Sequence, residues 1–206
     1  MLAKKLLKEH PIISEQIEPE ELLIILQKLE DTLEAKLNGD ICEFGCFIGT
    51  TSLFLQRIIQ QKSPSKQLYL YDSFQGLPQK STEDQSAAGT EFTTGELMAS
   101  KSQLKQNFKK ANLPMPKIKR IWFSDIKEKD TPKQICFAFL DGDFYKSIKD
   151  CLWAIERRIV TAGIIIVDDY NPALPGARIA VDEFLLNKKN FKLTNSTKSL
   201  AIIVKL

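Results

Sequence analysis

The sequence predicts an α/β protein built on a doubly wound, mostly parallel sheet. From residue 40 onward, short apolar runs of strand length alternate with longer segments of helical periodicity. This alternation is typical of a parallel sheet that is covered by helices on both faces. The last two strand candidates follow each other without a helix between them, which predicts an antiparallel pair at the C-terminal end.

Length and composition limit the classes of protein that need to be considered. With 206 residues the chain is long enough for a substantial core, and we expect a single domain over residues 1–206. A hydrophobic content of 43% argues against disorder, and a net charge of +3 argues against a nucleic-acid or membrane partner. The sequence has no CxxC pair, no signal-peptide pattern and no apolar run of transmembrane length, so a cytoplasmic protein is expected.

Residues 1–39 are predicted to form a helical cap on an α/β core of residues 40–206. Pro19 is suited to a helix start, and Glu20 and Glu21 would lie in the first turn. Apolar residues follow at three- and four-residue spacing, so this helix is amphipathic. Its apolar face could mediate a homodimer.

Within the core, strand candidates are short apolar runs, and helix candidates carry apolar residues every three to four positions. The predicted strands span residues 41–46, 67–72, 117–123, 135–141, 163–168, 191–195 and 200–206. The predicted helices span residues 50–61, 95–111, 145–160 and 177–188.

The segment from residue 75 to residue 94 interrupts this alternation. It is polar, rich in small residues and weakly periodic. A loop of this length in a compact domain is usually functional or mobile. Because it follows the second strand, it would lie over the edge where ligands bind to a parallel sheet. We predict that it forms a lid over the substrate; a passive insertion is the alternative.

The first strand runs into a glycine-containing turn that resembles a nucleotide-binding turn. Gly45 permits a sharp bend, and Gly49 lets the next helix start close to the sheet, with the hydroxyls that follow as capping groups. Phe47 takes the place of the middle glycine of a dinucleotide fingerprint, where it would crowd a pyrophosphate. It would tolerate a cofactor without phosphate, such as S-adenosylmethionine, although a plain strand-turn-helix is also consistent with this motif alone. The predicted cofactor residues of the turn are Glu43, Gly45, Phe47, Gly49, Thr50 and Thr51.

The second strand ends in an acid, Asp72, at the position where ribose hydroxyls are bound in related folds. A surface turn is the alternative for this carboxylate. Three further residues are predicted to complete the cofactor site, namely Ser73, Asp125 and Asp141.

Two apolar runs each end in a pair of carboxylates, Asp141 with Asp143 and Asp168 with Asp169. The two strands are expected to be neighbours, so the acids would meet at one edge of the sheet. They would repel one another unless a cation lay between them. Oxygen ligands of this kind suit Mg²⁺ and leave open positions for substrate oxygens. We therefore predict a metal site of Asp141, Asp168 and Asp169, whereas Asp143 could equally cap the helix that follows it.

Several stretches together resemble the macrocin O-methyltransferase family of sugar-modifying enzymes. A more distant resemblance, carried by the glycine turn and the acid-tipped strands, is to the catechol O-methyltransferase group. The closer resemblance spans residues 40 to 185 and rests on Asp72-Ser-Phe-Gln-Gly-Leu-Pro78, Gly95-Glu-Leu-Met-Ala-Ser100, Leu140-Asp-Gly-Asp-Phe-Tyr-Lys-Ser147, Ile166-Val-Asp-Asp-Tyr170 and Pro175-Gly-Ala-Arg-Ile-Ala-Val-Asp-Glu-Phe184.

This resemblance implies a Rossmann-like class I methyltransferase fold, S-adenosylmethionine as donor and Mg²⁺-dependent transfer to a hydroxyl. The implied acceptor is a sugar or glycosylated small molecule, and two open metal positions would favour one with vicinal hydroxyls. Asp143 and Lys146 lie next to the metal strand and are the candidate catalytic residues, whereas Lys146 could equally be a solvated side chain. Two other functions remain open: a metal-dependent hydrolase or phosphotransferase that uses the same acids, and a nucleotide-binding module without catalysis. The absence of a P-loop and of a nucleophile motif speaks against the former.

Overall fold

The computed structural model describes residues 1–86, 92–172, 175–197 and 199–206. Residues 1–39 contain two helices, α1 (Leu2–Glu9) and α2 (Pro19–Glu34). The helical prediction is thus confirmed for most of this region, but residues 10–18 form a non-helical linker between the two helices. Among the described residues, no helix is long and apolar enough to cross a membrane.

The described part of the chain forms a seven-stranded sheet in the order β3-β2-β1-β4-β5-β7-β6. The first five strands in this order pair in parallel. The last two strands of the chain, β6 and β7, form the predicted antiparallel pair, and β7 is also antiparallel to β5. From β1 the chain adds β2 and β3 on one side, and from β4 it adds β5 on the other. The topological switch point, where the strand order reverses and ligands usually bind, therefore lies between β1 and β4. The strands are β1 (Asp40–Phe44), β2 (Leu68–Asp72), β3 (Lys117–Arg120), β4 (Ile135–Leu140), β5 (Ile159–Val167), β6 (Phe191–Thr197) and β7 (Leu200–Lys205).

Helices cover both faces of the sheet. Side chains alternate between the two faces along each strand, so Ile41 packs with α1 to α4 while Cys42 packs with α5 and α6. The N-terminal helices therefore share one core with the sheet. The remaining helices are α3 (Thr50–Lys62), α4 (Lys101–Lys110), α5 (Tyr145–Ile155) and α6 (Pro175–Asn187).

Four element boundaries differ from the sequence prediction by more than two residues. Helix α4 begins at Lys101 and not at residue 95, because the Ser100 side chain accepts a hydrogen bond from Gln103 N and caps the helix there. Strand β5 begins at Ile159, where it pairs with Ile135, and a register shift in β4 separates this pair from the rest of the ladder. Helix α5 consequently ends at Ile155 instead of continuing to residue 160. Strand β3 ends at Arg120, opposite the last residue of β2.

The predicted lid, residues 75–94, contains one short 3-10 helix, Thr82–Asp84. Two backbone hydrogen bonds close its base: Leu77 N donates to Glu96 O, and Gly95 N donates to Leu77 O, each at 2.9 Å. Residues 87–91 lie outside the described residues, so the lid itself stays a prediction.

Candidate active site

A cavity of about 770 Å³ lies at the carboxyl ends of the parallel strands, beside the switch point between β1 and β4. A second cavity of about 30 Å³ adjoins the glycine turn, and Gly45, Phe47 and Asp141 line both. The structure therefore brings the turn and the strand-end acids to one place. The predicted site residues that line the larger cavity are Gly45, Phe47, Asp72, Ser73, Asp141, Asp143, Lys146, Asp168 and Asp169.

Five predicted site residues lie outside the larger cavity. Glu43, Thr50 and Thr51 line the smaller cavity only. Gly49 is the N-cap of α3 and lines neither cavity. Asp125 is exposed at the end of a 3-10 helix and likewise lines neither, although the residues just before it line the larger one.

Gly45 is required by the packing of the turn against the end of β4. Its φ is +83°, and a Cβ built on it would lie 1.7 Å from the carbonyl oxygen of Asp141. The turn is also tied to the neighbouring strands, because Gly45 N donates to Tyr71 O at 2.9 Å and Asp141 N donates to Phe44 O at 2.8 Å. The close approach that demands glycine here is therefore made by backbone of this chain.

The hydroxyls at the start of α3 do not cap the helix, contrary to prediction. Thr50 Oγ1 instead donates to Ser14 Oγ at 2.9 Å, and Ser52 Oγ donates to Glu43 Oε2 at 2.5 Å. Both hydroxyls thus fasten the turn to other elements. Burial raises the pKa of Glu43 to about 8, the bond from Ser52 partly offsets this rise, and the charge of Asp72 adds to it.

The Asp72 carboxylate organises the glycine turn from the end of β2. Its Oδ2 accepts hydrogen bonds from Cys46 N at 2.9 Å and Phe47 N at 3.1 Å, and its Oδ1 accepts one from Phe74 N at 2.7 Å. The same carboxylate lines the larger cavity. Asp72 is therefore positioned both to shape the turn and to meet a ligand.

The four strand-end carboxylates line the larger cavity together; Asp168 is buried and the other three are half-buried. Burial raises the pKa of Asp141 and Asp169 well above the usual range, and the neighbouring acids add to the effect. Burial also raises the pKa of Asp143 to about 7 and of Asp168 to about 6. Asp143 (φ +58°) and Asp169 (φ +59°) take the left-handed conformation, which typically costs a non-glycine residue about 1–3 kcal/mol and clusters at functional sites.

The donor set of this cluster suits a hard cation, since it consists of carboxylate oxygens from two adjacent strands. The acids are close enough to raise one another's pKa values. However, no three His, Cys, Asp or Glu side chains within the described ranges are arranged to hold a metal ion. Asp168 Oδ1 is engaged by Asp169 N at 2.8 Å and by Ser199 Oγ at 3.0 Å. The chemistry of the donors fits Mg²⁺, while their arrangement is not that of a completed site.

Comparison with known families decides the class of the protein. Residues 17–199 match the macrocin-O-methyltransferase (TylF) family. The chain belongs to the macrocin O-methyltransferase family. It is therefore an S-adenosylmethionine-dependent O-methyltransferase, as predicted, and this membership argues against the hydrolase and the non-catalytic alternatives.

Solved structures confirm the class I methyltransferase fold of this family member. The chain is similar to the O-methyltransferase NovP, with a TM-score of 0.80 and 24% identity over 92% of this chain and 81% of that one. It is also similar to the calicheamicin methyltransferase CalS11, with a TM-score of 0.71 and 20% identity over 98% and 90%. An O-methyltransferase from Bacillus cereus in complex with SAH has a TM-score of 0.63 and 13% identity over 99% and 89%. The chain has no significant match among curated proteins.

The cavity of this methyltransferase is also lined by residues that the sequence did not indicate. Glu15 and Gln16, from the linker between α1 and α2, line the larger cavity, and Ser14 and Ile17 line the smaller one. No local motif marks this linker. Ser14 receives its hydrogen bond from Thr50 across 36 residues, so only the folded chain brings the linker to the site.

Asp150 and Trp122 are two further lining residues of the methyltransferase that had not been predicted. Burial raises the pKa of Asp150, and Lys146 partly offsets the rise. Asp150 follows Lys146 by four residues on α5, so helical periodicity could have placed the two on one face. Trp122 follows the short edge strand β3, where no pattern marked it as a ligand contact.

Proposed function

We propose that this O-methyltransferase methylates a hydroxyl of a sugar or glycosylated small molecule beside a Mg²⁺ ion held by Asp141, Asp168 and Asp169. One observation carries the proposal: a single cavity of about 770 Å³ is lined both by the glycine turn, at Gly45 and Phe47, and by the strand-end acids. Donor and acceptor bound at its two ends would be in contact. Holding both in line is a major source of catalysis in methyl transfer.

The donor is assigned to the turn end of the cavity. Gly45, Phe47 and Asp72 lie there, and Phe47, in place of the middle glycine of a dinucleotide fingerprint, would crowd a pyrophosphate. Two structures with this fold support the assignment: the O-methyltransferase from Bacillus cereus is in complex with SAH, and TomG from Streptomyces achromogenes is in complex with SAM. We propose that Ser73 and Asp125 belong to the same subsite, although Asp125 would have to move to contact a ligand.

Residues near the strand-end acids would accept the proton that the acceptor hydroxyl loses. The acceptor oxygen attacks the sulfonium methyl, the new O–CH₃ bond forms as the S–CH₃ bond breaks, and the electron pair returns to sulfur. The hydroxyl proton leaves to a base, and one candidate is Asp143, which lines the cavity and follows Asp141 by two residues. Lys146 lines the same cavity from the first turn of α5 and is the other candidate. A bound Mg²⁺ would favour the alkoxide and orient two vicinal oxygens.

The charge of the cavity supports a hydroxyl-rich acceptor without phosphate near the reacting oxygen. Besides the four strand-end acids, the lining includes Glu15, Asp72 and Asp150. Among its described lining residues, Lys146 is the one cation. An anionic acceptor such as a nucleic acid would meet repulsion here and calls for a basic surface instead.

Calorimetric titration with S-adenosylhomocysteine, with and without Mg²⁺, tests the donor and the metal together. We expect micromolar binding of this product. Turnover of a panel of sugars and catechols with labelled donor then tests the acceptor class. A diol should be methylated faster than its singly deoxygenated analogue, because two oxygens would contact the cation. Equal rates for the pair would refute bidentate binding, and turnover of catechols alone would refute the sugar assignment.

A further inference from the structure

Asp84 joins the segment after β2 to the start of α5. It is only 8% exposed, and both of its carboxylate oxygens accept hydrogen bonds. Oδ1 accepts from Tyr145 N at 2.6 Å, 61 residues away in the sequence. Oδ2 accepts from Ser81 N at 2.8 Å and from Ser81 Oγ at 2.9 Å. A single side chain thus connects its own loop to the first residue of a distant helix.

Asp84 supplies the cap that α5 lacks. The local N-cap residue, Phe144, makes no side-chain cap hydrogen bond, and the first turn of α5 contains no acid. The unpaired N–H groups at a helix start attract negative charge, so a carboxylate from elsewhere is stabilised there. A second contact joins the same two elements, since Lys80 Nζ lies 5.7 Å from the centre of the Phe144 ring.

At the start of α6, the absence of a side chain at Gly176 leaves space for the same carboxylate. A Cβ built on Gly176 would lie 1.9 Å from Asp84 Oδ1 and 2.9 Å from Tyr145 N. Any side chain at this position would therefore collide with the contact. The loop, α5 and α6 meet at Asp84 because residue 176 has no side chain.

These contacts connect two walls of the larger cavity. Helix α5 contributes Lys146 and Asp150 to the lining, and the chain before Asp84 contributes Gln75 to Gln79. We propose that Asp84 is a positioning residue that holds these two walls at the separation that the acceptor requires. The proposal rests on the proposed function only in assigning the acceptor to this end of the cavity.

Asp84→Ala and Asp84→Asn test the proposal, with Glu83→Gln as the matched control. The control removes a charge one residue away, where the carboxylate accepts from the Thr82 side chain. In Asp84→Ala we expect the KM for the acceptor to rise about tenfold, because small misplacements of reacting groups are costly. Asp84→Asn keeps one acceptor oxygen for Tyr145 N and should give a smaller rise. Affinity for S-adenosylhomocysteine should be unchanged in all three variants.

Tryptic cleavage after Lys80, followed by mass spectrometry, provides a readout that needs no acceptor. Cleavage should be faster in both Asp84 variants than in the wild type and in Glu83→Gln. Faster cleavage with an unchanged acceptor KM would mean that the contact is only structural, and unchanged cleavage would mean that it does not hold the loop; either result overturns the proposal. If the wild-type enzyme methylates catechols and no sugar, the proposed acceptor class is wrong but the role of Asp84 is not affected. The acceptor KM of the variants would then be compared with a catechol as substrate.

Discussion

The backbone N–H of Phe47 donates a hydrogen bond to the carboxylate of Asp72, with 3.1 Å between N and Oδ2. Phe47 has a φ of +44°, so this bond helps to hold a backbone conformation that an aromatic residue rarely adopts. The sequence alone indicated a ribose contact for Asp72. The structure adds that the same carboxylate shapes the turn that would bind the donor.

Replacing Asp72 should weaken donor binding. For Asp72→Ala we expect S-adenosylhomocysteine affinity to fall by about 1–3 kcal/mol, the usual cost of leaving hydrogen-bonding groups unpaired. Asp72→Asn keeps one acceptor oxygen and should lose less. Calorimetry measures both, and Asp31→Asn on the exposed face of α2 serves as the control. Unchanged affinity in Asp72→Ala would remove this residue from the donor site.

Turnover should require a divalent cation bound by the strand-end acids. A chelator should abolish turnover and Mg²⁺ should restore it. Asp168→Asn should lose activity while S-adenosylhomocysteine binding and the thermal midpoint are retained. Ser199→Ala should weaken Mg²⁺ binding less, because Ser199 does not line the cavity and its hydroxyl is shared between Glu21 Oε1 at 2.6 Å and Asp168 Oδ1 at 3.0 Å. Full activity after exhaustive chelation would contradict the metal assignment.

Replacing the general base should lower kcat and leave the binding of donor and acceptor unchanged. We expect Asp143→Asn to lower kcat by about 10²–10⁴-fold, the typical contribution of general base catalysis. Lys146→Met should lower it less, since Lys146 is exposed at the cavity rim. Asp31→Asn, a change of the same kind on the exposed face of α2, is the control. If Lys146→Met proves the more damaging variant, the two roles must be exchanged.

The buried Glu43 should make stability depend on pH. Its pKa is raised to about 8 in the folded protein, so the folded state holds a proton that the unfolded state releases at a lower pH. The free energy of unfolding should therefore be highest below the unfolded pKa and fall by up to about 1.4 kcal/mol per pH unit as the pH rises towards the folded pKa. Glu43→Gln cannot ionise and should remove this part of the slope. Denaturant titrations between about pH 5 and pH 8 measure the free energy of unfolding of both proteins. If the free energy changed with pH in the same way in the wild type and in Glu43→Gln, Glu43 would not be responsible.

The strands, the helices and the acids at the strand ends could be predicted from the sequence because each depends on local patterns. Apolar runs of strand length mark β4 and β5 even without their partners, and parallel pairing then places Asp141 and Asp168 at one edge. Element boundaries were less predictable. The start of β5 at Ile159 follows from pairing with Ile135, and no pattern in either segment encodes that register.

Only the tertiary structure determined the contacts that complete the site. Glu15 and Gln16 reach the cavity because α1 and α2 pack on the sheet, and Asp84 caps a helix that begins 61 residues later. Ser199 meets Asp168 across the antiparallel pairing of β5 and β7. The physical reason is the same in each case. Periodicity reports which face of an element is buried, whereas a hydrogen bond between distant residues depends on how whole elements are placed against one another.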